Sequence, residues 1–137
     1  IKTLAVRMDR HCENAKSIVS VLREHVSVSE VLYPGLEEHP GHEIATRQMS
    51  DFGGMVSFRL TGGQAAAERV VTSTKVFTLA ESLGAVESLI EHPGVMTHLS
   101  VAGSALEVPD DLVRISVGIE STDDLVDDLL QALDQAD

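Results

Sequence analysis

The stretch Leu112-Val113-Arg114-Ile115-Ser116-Val117-Gly118 decides the fold, because apolar and polar side chains alternate along it. A period of two is the pattern of a strand with one buried face and one open face. The apolar side chains are Val113, Ile115 and Val117, and we expect them to cover a core. Arg114 and Ser116 then lie on the opposite face of the strand.

A long amphipathic helix is predicted over residues 2–25, because apolar side chains recur there every three to four residues. The stripe consists of Leu4, Met8, His11, Ala15, Ile18, Val19, Leu22 and Val26. Ile1 is not an initiator methionine, and no capping residue precedes the stripe. We therefore expect that the N-terminal part of a larger protein has been removed, and that residues 1–26 are a linking helix.

The remaining segments alternate between strand and helix patterns. Strands are predicted over residues 27–33 and 55–60, and helices over residues 42–50 and 64–72. Two short strands are predicted between residues 76 and 88 around a turn at Gly84, with loops at Pro93-Gly94 and over residues 103–109. Each helix pattern thus follows or precedes a short strand pattern.

A closing helix is predicted after Ser121-Thr122-Asp123-Asp124, which offer capping oxygens and negative charge to a helix N-terminus. Its apolar stripe is Leu125, Leu129, Leu130 and Leu133. The whole order predicts one α/β (α+β) domain over residues 1–137. We expect a two-layer sandwich, with a mainly antiparallel sheet covered on one face by helices.

Composition and charge argue against several classes of function. The 137 residues are 43% hydrophobic, which is enough for one core. The net charge of -12, with acidic side chains concentrated in residues 107–137, disfavours nucleic-acid binding, and the acidic run is expected to be a solvated helix face. No apolar run of about 18 residues and no signal-peptide pattern occurs, so we expect a cytoplasmic protein without a membrane span.

Cysteine and histidine residues do not form a recognisable site in the sequence. Cys12 is the only cysteine, so an internal disulfide is impossible, and its place in a helical stripe predicts a small buried hydrophobe. His39 and His42, like His92 and His98, have no cysteine or carboxylate at metal-ligand spacing. We therefore expect no metal site.

Arg114 is the candidate binding residue. A planar guanidinium matches a carboxylate with two parallel hydrogen bonds, and a strand holds it rigidly. The residues alone leave an alternative open, because an arginine on the polar face of a strand in an acidic chain is usually a surface ion pair.

Several motifs in one order carry a resemblance. They are Phe77-Thr78-Leu79-Ala80-Glu81-Ser82-Leu83-Gly84, Glu87-Ser88-Leu89, Met96-Thr97-His98 and the Arg114 strand, with Phe52-Gly53-Gly54-Met55-Val56-Ser57-Phe58 upstream. Over essentially its whole length, the chain resembles the C-terminal domain of the cystathionine gamma-synthase and gamma-lyase family. These are pyridoxal-phosphate enzymes of fold type I that act in cysteine and methionine metabolism.

The resemblance implies roles for four residues. Arg114 matches the arginine that grips the α-carboxylate of the amino-acid substrate, and Ser82 would assist it. Glu81 matches a position where an acidic residue goes with the γ-synthase and γ-lyase members; a solvated strand-end carboxylate is the alternative. Thr97 matches a threonine near the far end of the substrate; a buried hydroxyl satisfied by the backbone is the alternative.

The resemblance places the cofactor outside this chain. Ser73-Thr74-Lys75 echoes the surroundings of the lysine that forms the Schiff base, but Val76-Phe77 follows Lys75 where the family has an aromatic residue and a Gly-His pair. Lys75 is therefore expected to end a helix. No catalytic, cofactor-binding or metal-binding residue is expected here, and the upstream domain would hold the pyridoxal 5'-phosphate and its lysine.

Two functions from different classes follow. The first is part of a cystathionine gamma-synthase, a cytoplasmic homotetramer that joins O-succinyl- or O-acetylhomoserine with L-cysteine, with γ-elimination as its close alternative. The fragment alone would be inactive. The second is a separate module that binds a small molecule or another chain without chemistry of its own.

Overall fold

The computed structural model describes residues 1–97, 103–105 and 107–136. The helices in this part of the chain are α1 (Leu4–Glu24), α2 (His42–Gln48), α3 (Gly63–Ser73), α4 (Pro93–Met96) and α5 (Thr122–Leu133). The strands are β1 (Val28–Leu32), β2 (Met55–Leu60), β3 (Thr78–Leu79), β4 (Leu89–Glu91) and β5 (Leu112–Ser116). His98 and Asp137, which belong to sequence patterns described above, lie outside the described residues.

The strands form one sheet in the order β1-β2-β5-β4-β3. The pairs β1/β2, β2/β5 and β4/β5 are antiparallel, and β3 pairs with β4 in parallel. The β5 strand lies at the centre of the sheet, and the alternation along it is that of a strand with one covered face. The predicted α/β class with a mainly antiparallel sheet is therefore confirmed.

Helices α1, α3 and α5 cover one face of the sheet. Phe58 of β2 and Ile115 of β5 are completely buried there, beside Ile18, Val70 and Leu129 from the three helices. Helix α5 also packs against both α1 and α3, so the helical layer closes on itself. The opposite face of the sheet, which carries Arg114, is the outer face.

Most predicted elements lie within two residues of their observed bounds, but two predictions between residues 76 and 97 were wrong. The second short strand begins at Leu89, after Ser88 rather than before it. The segment Pro93–Met96 is a helical turn rather than a loop, because proline at its first position has the φ angle a helix start requires. Short elements with few residues have weak periodicity, which explains both errors.

The ends of helix α1 and the start of helix α5 differ from the sequence prediction. Leu4, Met8 and Val26 of the predicted stripe are exposed, and burial in α1 begins at His11. Ser121 occupies the N-cap of α5 but makes no side-chain capping bond. Thr122 instead donates its hydroxyl hydrogen to Asn14 Oδ1 at 2.7 Å, so the start of α5 is fixed by α1.

Leu125, Leu129 and Leu133 are fully buried as predicted, whereas Leu130 is only half-buried. The same helix buries one carboxylate, that of Asp128. Its oxygens accept hydrogen bonds from the backbone N–H groups of Lys75, Val76 and Phe77 at 2.8, 2.8 and 3.0 Å. Asp128 therefore fixes the segment that joins α3 to β3.

Candidate carboxylate-binding site

Three polar side chains form a row across the outer face of the sheet. Arg114 of β5 is the register partner of Ser57 on β2 and of Glu91 on β4. Register partners in an antiparallel pair lie on the same face, so the row is fixed by the backbone pairing. Arg114 lies on β5, the central strand of the sheet.

Glu91 and Arg114 form an ion pair in which the acid is the buried partner. Arg114 Nη2 lies 2.9 Å from Glu91 Oε1, and the side chains are 25% and 2% exposed respectively. Thr97 donates its hydroxyl hydrogen to the same Oε1 over a long 3.5 Å. The other oxygen, Oε2, is buried and has no hydrogen-bond partner among the described residues.

Most N–H donors of the Arg114 guanidinium have no acceptor among the described residues. Its only other contact with the described residues is a long hydrogen bond of 3.4 Å from Nη2 to the backbone carbonyl of Ser82. Nε and Nη1 have no partner in the described ranges. A partly exposed guanidinium with free, fixed donors suits a carboxylate ligand.

One side of Arg114 is bordered by a segment that we call the site loop, residues 80–88. Gly84 donates its N–H to Ser116 Oγ at 2.9 Å, and Ile119 donates its N–H to the carbonyl of Val86 at 2.9 Å. Ser88 donates its hydroxyl hydrogen to Glu120 Oε2 at 2.9 Å. The loop is therefore attached to β5 and to the segment after it at several points.

The site loop brings Ser82 to Arg114, in a way the sequence did not predict. Ser82 is exposed and has a φ of 116°, a left-handed conformation that is strained for a residue with a side chain. It contacts Arg114 through its carbonyl oxygen, and its hydroxyl has no partner among the described residues. The Ser82 hydroxyl therefore has no structural contact with the described residues.

The other two predicted site residues differ in their surroundings. Glu81 is exposed and makes no hydrogen bond or ion pair with the described residues, so the structure joins it to Arg114 only through its neighbour Ser82. Thr97 is half-buried and contacts Glu91, and its hydroxyl also donates to the carbonyl of Pro93 at 3.4 Å. Thr97 therefore belongs to the surroundings of the ion pair.

Glu91 is the site residue that the sequence interpretation missed. It follows Leu89-Ile90 and precedes His92-Pro93, and the predicted strand stopped before it. A strand over Leu89–Glu91 with Ile90 facing the core would have placed Glu91 on the outer face with Leu89. The pairing of β4 with β5 supplies the rest, and it cannot be read from spacing alone.

The surroundings of Lys75 do not fit those of a Schiff-base lysine. The Lys75 side chain is exposed and makes no hydrogen bond or ion pair with the described residues, whereas a Schiff-base lysine needs a desolvated, charge-tuned environment. Helix α3 ends at Ser73 with Thr74 as its C-cap, so Lys75 lies just beyond the helix. Lys75 therefore has the environment of an ordinary surface lysine.

The remaining candidate ligands and nucleophiles have structural roles. His42 Nδ1 lies 2.8 Å from the carbonyl of Pro34, and His92 Nε2 lies 2.6 Å from that of Asp110. His39 Nδ1 accepts a hydrogen bond from a backbone N–H. Cys12 is buried, and burial raises the pKa of its thiol. Among the described residues, no group of three potential ligands could hold a metal ion.

None of the helices in the described ranges is long and apolar enough to cross a membrane.

Comparison with known proteins identifies the family. A model described as Cys/Met metabolism PLP-dependent enzyme matches residues 1–134. The chain belongs to this family. A cystathionine gamma-synthase of Mycobacterium bovis is 65% identical to it over 133 residues, which are 97% of this chain and 34% of that protein. A cystathionine beta-lyase of Lactococcus lactis subsp. cremoris is 52% identical over 98% of this chain and 36% of that protein.

Solved structures agree in fold and in coverage. The crystal structure of metB from Corynebacterium glutamicum has a TM-score of 0.95 and 63% identity, and the match covers 97% of this chain and 34% of that one. Cystathionine gamma-synthase from Xanthomonas oryzae pv. oryzae, in complex with aminoacrylate and cysteine, has a TM-score of 0.93 and 48% identity, over 98% and 35%. The chain thus spans about a third of the length of the proteins it matches.

Membership of this family confirms three expectations. The fold is that of the fold-type I pyridoxal-phosphate enzymes, and the relatives are enzymes of cysteine and methionine metabolism. Pyridoxal phosphate is the cofactor implied for the full enzyme. The relatives include both a synthase and a lyase, so membership of the family alone leaves the reaction open.

Proposed function

We propose that this chain is the C-terminal, substrate-carboxylate-binding domain of a longer cystathionine gamma-synthase. The complete enzyme would join an O-acylhomoserine, O-succinyl or O-acetyl, with L-cysteine to give L-cystathionine. The 65% identity with a cystathionine gamma-synthase, over a third of that protein's length, supports this reaction and this division of labour. The fragment alone is expected to be inactive.

The observation that carries the proposal is the state of Arg114. One nitrogen of its guanidinium is held by Glu91, while Nε and Nη1 have no partner among the described residues. These donors would bind the α-carboxylate of the amino-acid substrate and fix its orientation. Ser82 is near enough to assist, and its hydroxyl would become a further donor to the same carboxylate.

Glu81 and Thr97 would complete the substrate site. Glu81 is an exposed carboxylate next to Ser82, and we assign it contact with a polar group of the substrate. Thr97 donates a long hydrogen bond to Glu91, and we assign it a place near the far end of the substrate. Pyridoxal phosphate would supply the bond-making and bond-breaking chemistry, and this chain would supply binding and orientation.

An apolar groove supports the proposal of an upstream domain as a partner. The groove has a volume of about 390 Å³ and lies beside the site loop, lined among others by Met8, Phe52, Met55 and Leu83. Leu4 and Val6, which lie in α1 just before Met8 in the sequence, are also exposed. Exposed apolar surface of this kind favours a covering domain or subunit, and we expect the complete enzyme to be a cytoplasmic homotetramer.

The close alternative is γ-elimination, because the relatives include a lyase at 52% identity. Both reactions need the same carboxylate contact, so Arg114 serves either. The ratio of cystathionine formed to keto acid released, with and without cysteine, separates them in one assay.

The test is an Arg114→Ala substitution in the complete protein. Each charge-assisted hydrogen bond contributes roughly 1.5 to 3 kcal/mol, so kcat/KM for the acylated homoserine should fall by about ten- to a few-hundred-fold. Arg59→Ala is the matched control. Arg59 lies on β2 and, like Arg114, on the outer face of the sheet, but its guanidinium pairs with Asp111 at 2.9 Å. An unchanged kcat/KM in Arg114→Ala would refute the role, and a complete protein without activity would favour a binding module.

A further inference from the structure

Among the buried polar side chains that the structure describes, Glu91 is the one with an atom that lacks a hydrogen-bond partner. Its side chain is 2% exposed, one oxygen pairs with Arg114 Nη2 at 2.9 Å, and the other oxygen has no partner among the described residues. Burying a carboxylate in this state is unfavourable, because half of its hydrogen-bonding capacity with water has been lost without replacement. A contribution to stability therefore does not explain why a carboxylate lies there.

The position of Glu91 beside Arg114 suggests a role other than stabilising the fold. The register of β4 and β5 places Glu91 directly opposite Arg114, and the long hydrogen bond from the Thr97 hydroxyl reaches the same Oε1. A guanidinium held by one nitrogen cannot swing as a free arginine side chain does. We propose that Glu91 is a positioning residue, which holds Arg114 so that its free donors meet the substrate carboxylate. This inference rests on the proposed function of Arg114.

Two opposing effects decide the size of the contribution. The negative charge of Glu91 repels a second carboxylate and partly neutralises Arg114. Without Glu91, however, Arg114 loses its strongest described contact and keeps only the 3.4 Å hydrogen bond to Ser82. A long side chain that must be ordered at binding loses affinity, and the partly exposed guanidinium is screened by water, which weakens the repulsion. We therefore expect orientation to dominate.

The test compares two ligands that differ by one carboxylate, norvaline and butylamine, in the complete protein. Dissociation constants are measured by calorimetric titration, so the readout does not depend on turnover. In Glu91→Ala, norvaline should bind about tenfold more weakly, because the charge-assisted contact is misaligned. Butylamine, which lacks the carboxylate, should change by less than about twofold. A merely structural defect would weaken both ligands alike.

A conservative variant and a control make the result specific. Glu91→Gln keeps an acceptor oxygen for Arg114 Nη2, and the norvaline affinity should fall by only about threefold, since the neutral bond is weaker. Asp111→Asn is the control, because Asp111 pairs with Arg59 at the same 2.9 Å on a neighbouring part of the sheet. The control should leave the preference for norvaline over butylamine unchanged.

The outcomes separate this inference from the proposed function. Stronger norvaline binding in Glu91→Ala would mean that Glu91 competes for Arg114, and an equal loss for both ligands would mean a structural role; either overturns the inference. If Arg114→Ala abolishes the preference for norvaline but Glu91→Ala does not reduce it, only the positioning role fails. If the parent protein has no such preference, the proposed function of Arg114 fails as well.

Discussion

Two buried carboxylates, on opposite sides of the sheet, are satisfied to very different degrees. Asp128 in α5 accepts hydrogen bonds from three consecutive backbone N–H groups, those of Lys75, Val76 and Phe77. Glu91 in β4 has one ion pair, to Arg114, and one oxygen without a partner among the described residues. Both side chains are nearly inaccessible, so burial does not distinguish them.

The difference separates a structural carboxylate from one that belongs to a site. Between α3 and β3, the Asp128 carboxylate accepts hydrogen bonds from backbone N–H groups that no helix or strand pairs. Removing the carboxylate would leave these donors unpaired. Glu91 pairs with Arg114, which is itself partly exposed, and the second carboxylate oxygen of Glu91 has no partner among the described residues. The first arrangement stabilises the fold, whereas the second is consistent with the proposed positioning of Arg114 for a ligand.

Replacing Asp128 tests the structural side of this comparison and should have the largest effect. Asp128→Ala leaves three backbone donors without partners, of which two lie where water has access, so we expect the free energy of unfolding to fall by about 3 to 5 kcal/mol. Urea denaturation measures it. Asp127→Ala, an exposed neighbour on the same helix, should change it by less than about 0.5 kcal/mol. Similar losses in the two variants would contradict the structural role.

The attachment of the site loop gives the next largest effect. Ser88 is fully buried, accepts a hydrogen bond from the Gly118 N–H at 2.7 Å and donates to Glu120 Oε2 at 2.9 Å. Ser88→Ala should lower the free energy of unfolding by about 2 to 3 kcal/mol, because a buried donor and a carboxylate oxygen lose their partner. Ser17→Ala, on the exposed face of α1, is the control for urea denaturation. A loss below that of the control would mean that the loop is held by other contacts.

Isosteric amides then sharpen the comparison between the two buried acids. Asp128→Asn places an amide group against backbone donors and should lower the free energy of unfolding by about 2 kcal/mol. Glu91→Gln removes a buried charge whose second oxygen is unpaired and should change it by less than about 1 kcal/mol in either direction. Urea midpoints for both variants, measured together, provide the check. A loss in Glu91→Gln that equals the loss in Asp128→Asn would contradict the distinction drawn above.

The sequence allowed much of the fold to be predicted, but little of this distinction. The alternation in β5 and the apolar stripes of α1 and α5 depend on local periodicity, which the chain displays directly. The register that places Glu91 beside Arg114, and the contact between Asp128 and a segment more than 50 positions earlier, depend on tertiary packing. The family motifs predicted site roles for Arg114, Ser82, Glu81 and Thr97, and those roles stay predictions. They did not reveal that the carbonyl of Ser82, and not its hydroxyl, contacts the arginine.

A partly exposed carboxylate, that of Asp51, completes the comparison, and its replacement should have the smallest effect. Asp51 accepts a hydrogen bond from Lys16 at 2.5 Å, and this contact holds the pKa of Asp51 below its ordinary value of 3.8. A lowered pKa adds stability that is fully present above pH 3.8 and is lost as the pH falls through the lowered pKa of the folded state. Because Asp51 is about one-third exposed, solvent screening limits the contribution to about 0.5 kcal/mol. Asp51→Asn should therefore be less stable than the parent by this amount at about pH 7, and the difference should shrink towards about pH 3. A difference that stayed constant over this range would show that ionisation of Asp51 does not contribute to stability, since an asparagine oxygen can still accept the hydrogen bond from the Phe52 N–H.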